Sequence, residues 1–325
     1  MRNPTTVPPN RFSLAALKDI AARLAALAVL MVGLSFLSKD FLSWDNLRIV
    51  GLQNSVIGIC AVGETIIIIA GGIDLAVGSV MAFSGILCAQ VLVAGGSPML
   101  AALVGVGAGG LWGLFSGVAT AKGKLPAFIA TLGAMGMARG LSLVLANGEA
   151  IYTQGRFSSL AAGKFLGVPI PALLLGVVAV SAGILLTRTS FGRRIYALGG
   201  NPESARLSGI NIDRMTIMVF VLNGLLTGLA GVVLTSRTGL GDPQAGKSAE
   251  LDAIGAAVVG GASLLGGQGT ISGAMIGLAI IAVIGNGIDL LASRISNPDF
   301  WQPVILGIVI VTAVLYDTRR RRTQK

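Results

Sequence analysis

The chain has 325 residues, of which 54% are hydrophobic and only 12% charged, and its mean hydropathy is +0.83. That balance does not suit a soluble domain and fits a polytopic membrane protein. With no His and only Cys60 and Cys88, both in apolar stretches, neither a metal site nor a disulfide framework is expected. The net charge of +10 comes from basic residues scattered among apolar segments, with no aromatic-and-basic surface, so it reads as positive-inside topology and not as nucleic-acid binding.

Residues 1–19 form a polar, proline-containing tail, predicted to be cytoplasmic. The apolar stretch 20–38 is longer than a signal-peptide core and no small-x-small cleavage site follows it, so it reads as an uncleaved first membrane helix. A hydrocarbon core of about 30 Å needs about 20 apolar residues per helix. On that scale spans are expected at 20–38, 48–70, 76–94, 99–120, 125–147, 169–187, 215–236, 254–266, 270–292 and 303–316, about ten in an all-α chain. The eighth is short enough to be a re-entrant segment instead, which would change the parity. Ten spans with the N-terminus inside place Lys122, Lys124, Arg188, Arg193, Arg194, Arg206, Arg214 and the basic tail 317–325 on the cytoplasmic side, together with most of the remaining Lys and Arg. Both termini are then cytoplasmic.

Gly makes up 47 residues. Gly105, Gly109, Gly113 and Gly117 recur at i+4 and form a flat stripe on one helix face, against which another helix should lie; Gly224 with Gly228 and Gly273 with Gly277 repeat the pattern more weakly. Intramolecular packing and a subunit contact both fit such a stripe.

Few ionisable residues interrupt the spans. Asp74, in the run AGGIDLAVGS from Ala70 to Ser79, is placed either as a gate or structural lock or as a cap for the next helix. Glu64, Arg139 and Asp289 lie within or near apolar spans, where an ionised group is costly unless paired or wetted, and are candidate functional residues for that reason. Arg139 and Glu149 are also close enough to helix ends to snorkel. The amides Gln53, Asn54, Asn223 and Asn286 suit either a weakly polar cavity or hydrogen bonds between helices.

The run GDPQAGKS from Gly241 to Ser248 matches the phosphate-loop pattern letter for letter. It follows a membrane span, lies on the predicted outer face and lacks the soluble strand-and-helix context that the pattern requires, so it is read as coincidence. No nucleophile, paired carboxylates or His suggest catalysis; the chain reads as a transporter that carries no energy-coupling chemistry of its own.

The one internal loop rich in charge runs from Phe191 to Arg214. Asn201 is a good N-cap, Pro202 suits the first helical position, and Gly209 can take the left-handed conformation that ends a helix. A short exposed helix is therefore predicted over Pro202 to Ser208, presenting Glu203 and Arg206 outside the membrane. Spacing alone allows two readings, docking onto a partner or an ordinary surface helix touching lipid head groups.

Taken together, AGGIDLAVGS, the stretch from Gly192 to Arg214, the run ELDAIGAAVVGGASLLGGQGT from Glu250 to Thr270 and the basic tail resemble the permease subunits of ribose-type bacterial ABC importers, over nearly the whole chain. The resemblance implies a type II-like importer permease fold, a single membrane domain over 20–316 with a cytoplasmic coupling loop at 188–214, and residence in the inner membrane. It also implies that Asn201, Pro202, Glu203, Ser204, Ala205, Arg206, Leu207, Ser208 and Gly209 form the coupling helix that sits in a cleft of a cytoplasmic ATPase. The partners so implied are that sugar-type ATPase, where ATP and magnesium are held, a periplasmic sugar-binding protein, and a second permease copy or paralogue. The cargo implied is a monosaccharide or polyol. Two details depart from the family pattern, Ala249 before the ELDAI run and Gln268 in the Gly-rich loop, and both bear on cargo more than on class. Branched-chain amino acid permeases are the neighbouring alternative, and an ion-coupled carrier using Glu64 and Asp289 is the alternative of another class.

Overall fold

A computed structural model describes residues 14–292 and 298–323. The expected N-terminal tail as far as residue 13, Arg294, the side chains of the basic C-terminal tail and its last two residues lie outside the described part. In chain order the elements are α1 (Leu14–Leu37), α2 (Trp44–Ile69), α3 (Val77–Val93), α4 (Pro98–Ala121), α5 (Ala127–Leu145), β1 (Ile151–Tyr152), α6 (Ser158–Ala162), β2 (Lys164–Phe165) and β3 (Val168–Pro169). There follow α7 (Ile170–Arg188), α8 (Ser190–Gly200), α9 (Pro202–Leu207), α10 (Ile212–Thr238), β4 (Leu240–Gly241), α11 (Ala249–Val259), α12 (Ile271–Leu290) and α13 (Pro298–Thr323). The strands form two short antiparallel pairs, β1 with β4 and β2 with β3.

Local chemistry sets the helix starts. Ser43, Ser97 and Thr270 each accept a bond from a backbone amide of the first turn of α2, α4 and α12, and Pro98 follows Ser97 where no amide donor is needed. Among the described residues seven helices are long and apolar enough to cross a membrane: α1 from Asp19, α2, α4, α5, α7, α10 and α12. Shorter apolar helices are α3 and the stretch Phe300–Leu315 of α13.

At the eighth stretch, expected either as a span or as a re-entrant segment, the chain does not form a full-length span. Instead of a helix over 254–266 there is α11, eleven residues long, which at about 1.5 Å per residue covers roughly half of a 30 Å core. Gly260 and Gly261 end it, and a run of turns continues to Thr270. The amide of Gly267 in that run donates to the Ile69 carbonyl at the end of α2 (2.8 Å), and Gly266 and Gly267 lie against the backbone of Gly199 and Gly200. The other end of α11 is fed from β4, at the far end of the long helix α10. Between those two faces the chain therefore crosses as an irregular loop, 242–248, followed by a half-length helix.

The α2–α3 junction is built the same way. After Ile69 the chain turns back along α2, so that the Asp74 amide reaches the Glu64 side chain (3.1 Å), more than a turn before the end of α2, and α3 starts from that depth. The first turns of α3 and α11 meet there, with Gly78 against the Gly246 carbonyl and the Glu250 carboxylate. The packing repeats accordingly: α3 lies on α4, α5 and α10, and α11 lies on α12, α13 and α2, while α2 and α10 pack on each other. Corresponding helices run in opposite directions, the arrangement of an inverted repeat with two broken helices.

The glycine stripe of α4 faces α10. Gly109 abuts Gly224 and Gly228, Gly113 the Phe220 carbonyl, and Gly117 the backbone of Ile217, so the strong stripe and one of the weaker ones are two sides of a single intramolecular contact. Gly273 and Gly277 pack against Gly260 and Ala256 in the equivalent α11–α12 contact. The core is centred on α2, which is buried from Ser55 to Ile69 apart from Ile57.

Candidate functional site

The charged loop folds into two short helices. Thr189 caps α8 by accepting from the Gly192 amide (3.1 Å), and Asn201 caps α9 by accepting from the Ser204 amide (2.9 Å). The helix expected over Pro202 to Ser208 ends one residue earlier, at Leu207, with Ser208 as its C-cap and Gly209 in the left-handed region at φ 81°. All of α9 is exposed except Ala205, whose carbonyl accepts from the Ile210 amide and closes the turn. Glu203 and Arg206 pair on its surface (2.6 Å), and the guanidinium holds the Glu203 carboxyl below its usual range, so both groups stay charged at neutral pH. Leu207 is 75% exposed beside them. A fixed charge pair next to a bare apolar side chain is a surface fit for a protein cleft.

What lies behind α9 gives its position consequence. Ile195 and Leu198 of α8 are buried with Val62, Ile66 and Ile69 of α2 in one cluster. Gly199 sits against the Ile69 carbonyl and the Gly267 amide, and the Tyr196 hydroxyl donates to the Gly269 carbonyl (2.8 Å). The α8–α9 unit therefore touches the end of α2 and the turns that carry the chain on from α11. On the same face Lys124 and Lys122 pair with Asp213 (3.1 and 3.4 Å), tying the α4–α5 loop to the start of α10.

Inside the membrane domain, Glu64, Asp74 and Asn223 come together. Asp74 accepts from the Ala76 amide just before α3 (2.8 Å) and from the Asn223 side chain (2.8 Å), so it ties the break to α10, while the first turn of α3 itself has no side-chain cap. Asn223 is thereby an interhelical bond and not cavity lining. Glu64 is fully buried and accepts from the Asp74 amide through one oxygen only. Thr131 of α5 joins from the side, accepting from the Leu75 amide (3.1 Å). Arg139 does not snorkel: it donates to the carbonyls of Pro243 (2.6 Å) and Ala245 (2.8 Å), pinning the loop before α11. That loop is the segment with the phosphate-loop letters. It follows a two-residue antiparallel strand, and its Gly246 is pressed against Gly78 of α3, so its backbone lacks the open cradle of a phosphate site.

The remaining amides meet at a cleft toward the β1–β4 face. It has a cavity volume of about 180 Å³, opens to its surroundings, and is lined by Gln53 and Asn54 of α2, Asp252 of α11, Asn286 and Asp289 of α12 and Gln302 of α13, with Ile57, Ile281 and Ala282 as its apolar wall. Asn286 exchanges two hydrogen bonds with Asn46, both 2.9 Å, which fixes its amide, and Asn54 donates to the Val50 carbonyl of its own helix (2.9 Å). Arg237, at the end of α10, donates to the Gln53 carbonyl (2.9 Å). Sequence reasoning named Asn54, Asn286, Gln53 and Asp289 but missed Asp252 and Gln302. Their signal was a polar residue within the first turns of an otherwise apolar helix.

This architecture, broken membrane helices in an inverted repeat with a polar helix pair exposed at one face, is that of a helical membrane permease. The profile of the family described as branched-chain amino acid transport system / permease component matches residues 47–314, and the chain belongs to that family. It is 43% identical to the ribose import permease protein RbsC of Bacillus subtilis over 90% of this chain and 91% of the relative. It is 40% identical to the L-arabinose ABC transporter permease protein AraH of Azospirillum brasilense, covering 91% and 87%. The xylose transport system permease protein XylH of Escherichia coli is 34% identical, covering 94% and 93%. No solved structure gives a significant match.

Proposed function

We propose that this chain is the membrane subunit of an ABC importer that carries a monosaccharide across the bacterial inner membrane, driven by ATP hydrolysis in a partner. The observation that supports this most is the near-complete, 34–43% identity to permeases named for ribose, arabinose and xylose. The family's broad description names branched-chain amino acids. Against that cargo stands the cleft lining, which among the described residues offers carboxylates and amides and no cation for an amino acid carboxylate.

In this reading α9 docks in a cleft of the ATPase, where ATP and magnesium are held, and the chain itself contributes no catalytic group. The face bearing α8 and α9 is cytoplasmic, as are both termini. A second permease copy or paralogue completes the passage, and a periplasmic binding protein delivers the sugar to the β1–β4 face. When the ATPase closes, α9 moves with it. Because α8 is packed on the end of α2 and on the turns that follow α11, the displacement reaches both breaks, and these are the places where the backbone has the fewest regular hydrogen bonds to lose. The break at 70–76 is held by the Asp74–Asn223 lock and the break at 242–248 by Arg139, so the two can switch between discrete positions.

The test is uptake of D-ribose, L-arabinose and D-xylose into proteoliposomes containing the chain with its ATPase and binding protein. Uptake should require ATP, and Glu203→Arg should abolish it while membrane insertion stays normal. Uptake by the chain alone under an ion gradient would replace this reading with a secondary carrier working through its buried carboxylates.

A further inference from the structure

We infer that the cleft between α2, α11, α12 and α13 is a resident binding site for a neutral monosaccharide, with Asp252 and Asp289 accepting from sugar hydroxyls and Gln53, Asn54, Asn286 and Gln302 completing the polar ring. The inference rests on the monosaccharide-import reading and adds where in the chain the sugar is held.

Three observations carry it. The first is composition: the residues that line the cleft supply two carboxylates and four amides over an apolar wall of Ile57, Ile281 and Ala282. A carboxylate can accept from two neighbouring hydroxyls at once, an amide both donates and accepts, and aliphatic groups suit the C–H face of a sugar ring. The Asp252 carboxylate in the lining disfavours an anionic occupant such as a sugar phosphate or an organic acid. The second is size. A cavity volume of about 180 Å³ is below the roughly 300–1,000 Å³ of drug-sized sites and limits the occupant to a small molecule such as a single sugar ring.

The third is position. Asn286, Asp289 and Gln302 lie near the β1–β4 ends of α12 and α13, whereas Asp252 is in the first turn of α11, which starts about halfway through the membrane. The cleft thus leads from the face where a binding protein would release cargo to the midplane, and its floor is the start of a broken helix. Its polar groups come from four helices, two of which, α2 and α11, are linked to α8 directly or through the turns that follow, so movement of α8 can alter the floor. Among the described residues no aromatic ring lines the cleft. That predicts weak retention, which suits a site that must release its occupant in each cycle.

The decisive experiment uses the assembled importer with Gln302→Cys in sealed proteoliposomes or spheroplasts, labelled from outside with an impermeant maleimide; Cys60 and Cys88 are buried and give little background. Excess D-ribose without binding protein should slow labelling about three-fold or more, and D-ribose 5-phosphate should not. In parallel, Asp252→Asn and Gln302→Ala should each raise the KM for D-ribose-loaded binding protein or lower the rate by about ten-fold, the scale of one or two lost hydrogen bonds, while ATP hydrolysis persists. Unchanged labelling together with unchanged uptake by both variants, in an importer that does carry D-ribose, overturns the site alone. If the wild-type importer carries none of the monosaccharides tested but another solute, the import reading fails and the site assignment fails with it.

Discussion

At the scale of single residues, the arrangement at Asp74 shows how a few polar atoms hold a break open inside an apolar core. One Asp74 oxygen accepts from the Ala76 amide just before α3 and the other from the Asn223 side chain, and Asp74 and Asn223 are both buried. Removing the Asn223 amide leaves a carboxylate oxygen without its donor, a loss of about 1–3 kcal/mol. Asn223→Asp is worse than Asn223→Ala, because it sets a third carboxylate beside Glu64 and Asp74. Thermal unfolding of purified protein in detergent should therefore rank wild type above Asn223→Ala and that above Asn223→Asp; equal midpoints for the two variants would contradict the lock. Gly63 belongs to the same unit, since a side chain there would strike the Asn223 oxygen.

At the scale of elements, the α4–α10 contact is set by glycine on both sides. Gly113 faces the Phe220 carbonyl directly, whereas Gly107 on the other side of α4 has open space. Gly113→Val must separate the helices and should cost at least the 1–3 kcal/mol typical of overpacking, while Gly107→Val should cost only a fraction of that. A comparison of their unfolding midpoints checks the claim. This contact was legible in the sequence because small residues at i+4 are a local pattern. The half-helix α11 was legible only in part: the stretch 254–266 was short enough to read as re-entrant, but hydropathy records that it is in the membrane and not where its backbone stops being helical. The cleft was legible only in part, because Asn54, Asp252, Asn286 and Gln302 are distant in sequence and become neighbours only when α11 and α12 fold back on α2. The cap, proline and terminal glycine of α9 were readable to within a residue, since each acts through its immediate neighbours.

At the scale of the whole molecule, the broken helices decide which surface meets water. Lys247 is exposed, yet it sits just before α11, about halfway across the membrane. An ammonium group facing hydrocarbon at that depth costs about 2.5–3.5 kcal/mol even on insertion-based scales, so this side of the 242–248 loop faces an aqueous passage or its lining on a second subunit. If α9 is cytoplasmic, that passage is reached from outside. Lys247→Cys in spheroplasts should then react with an impermeant thiol reagent added externally, and Ser204→Cys on α9 should react only after the membrane is permeabilised. The reverse pattern would invert the chain and put the β1–β4 face in the cytosol. Labelling of Lys247→Cys that slows when the ATPase is trapped closed would further tie the loop to the cycle, because α11, which follows it, ends against the turns held by α8.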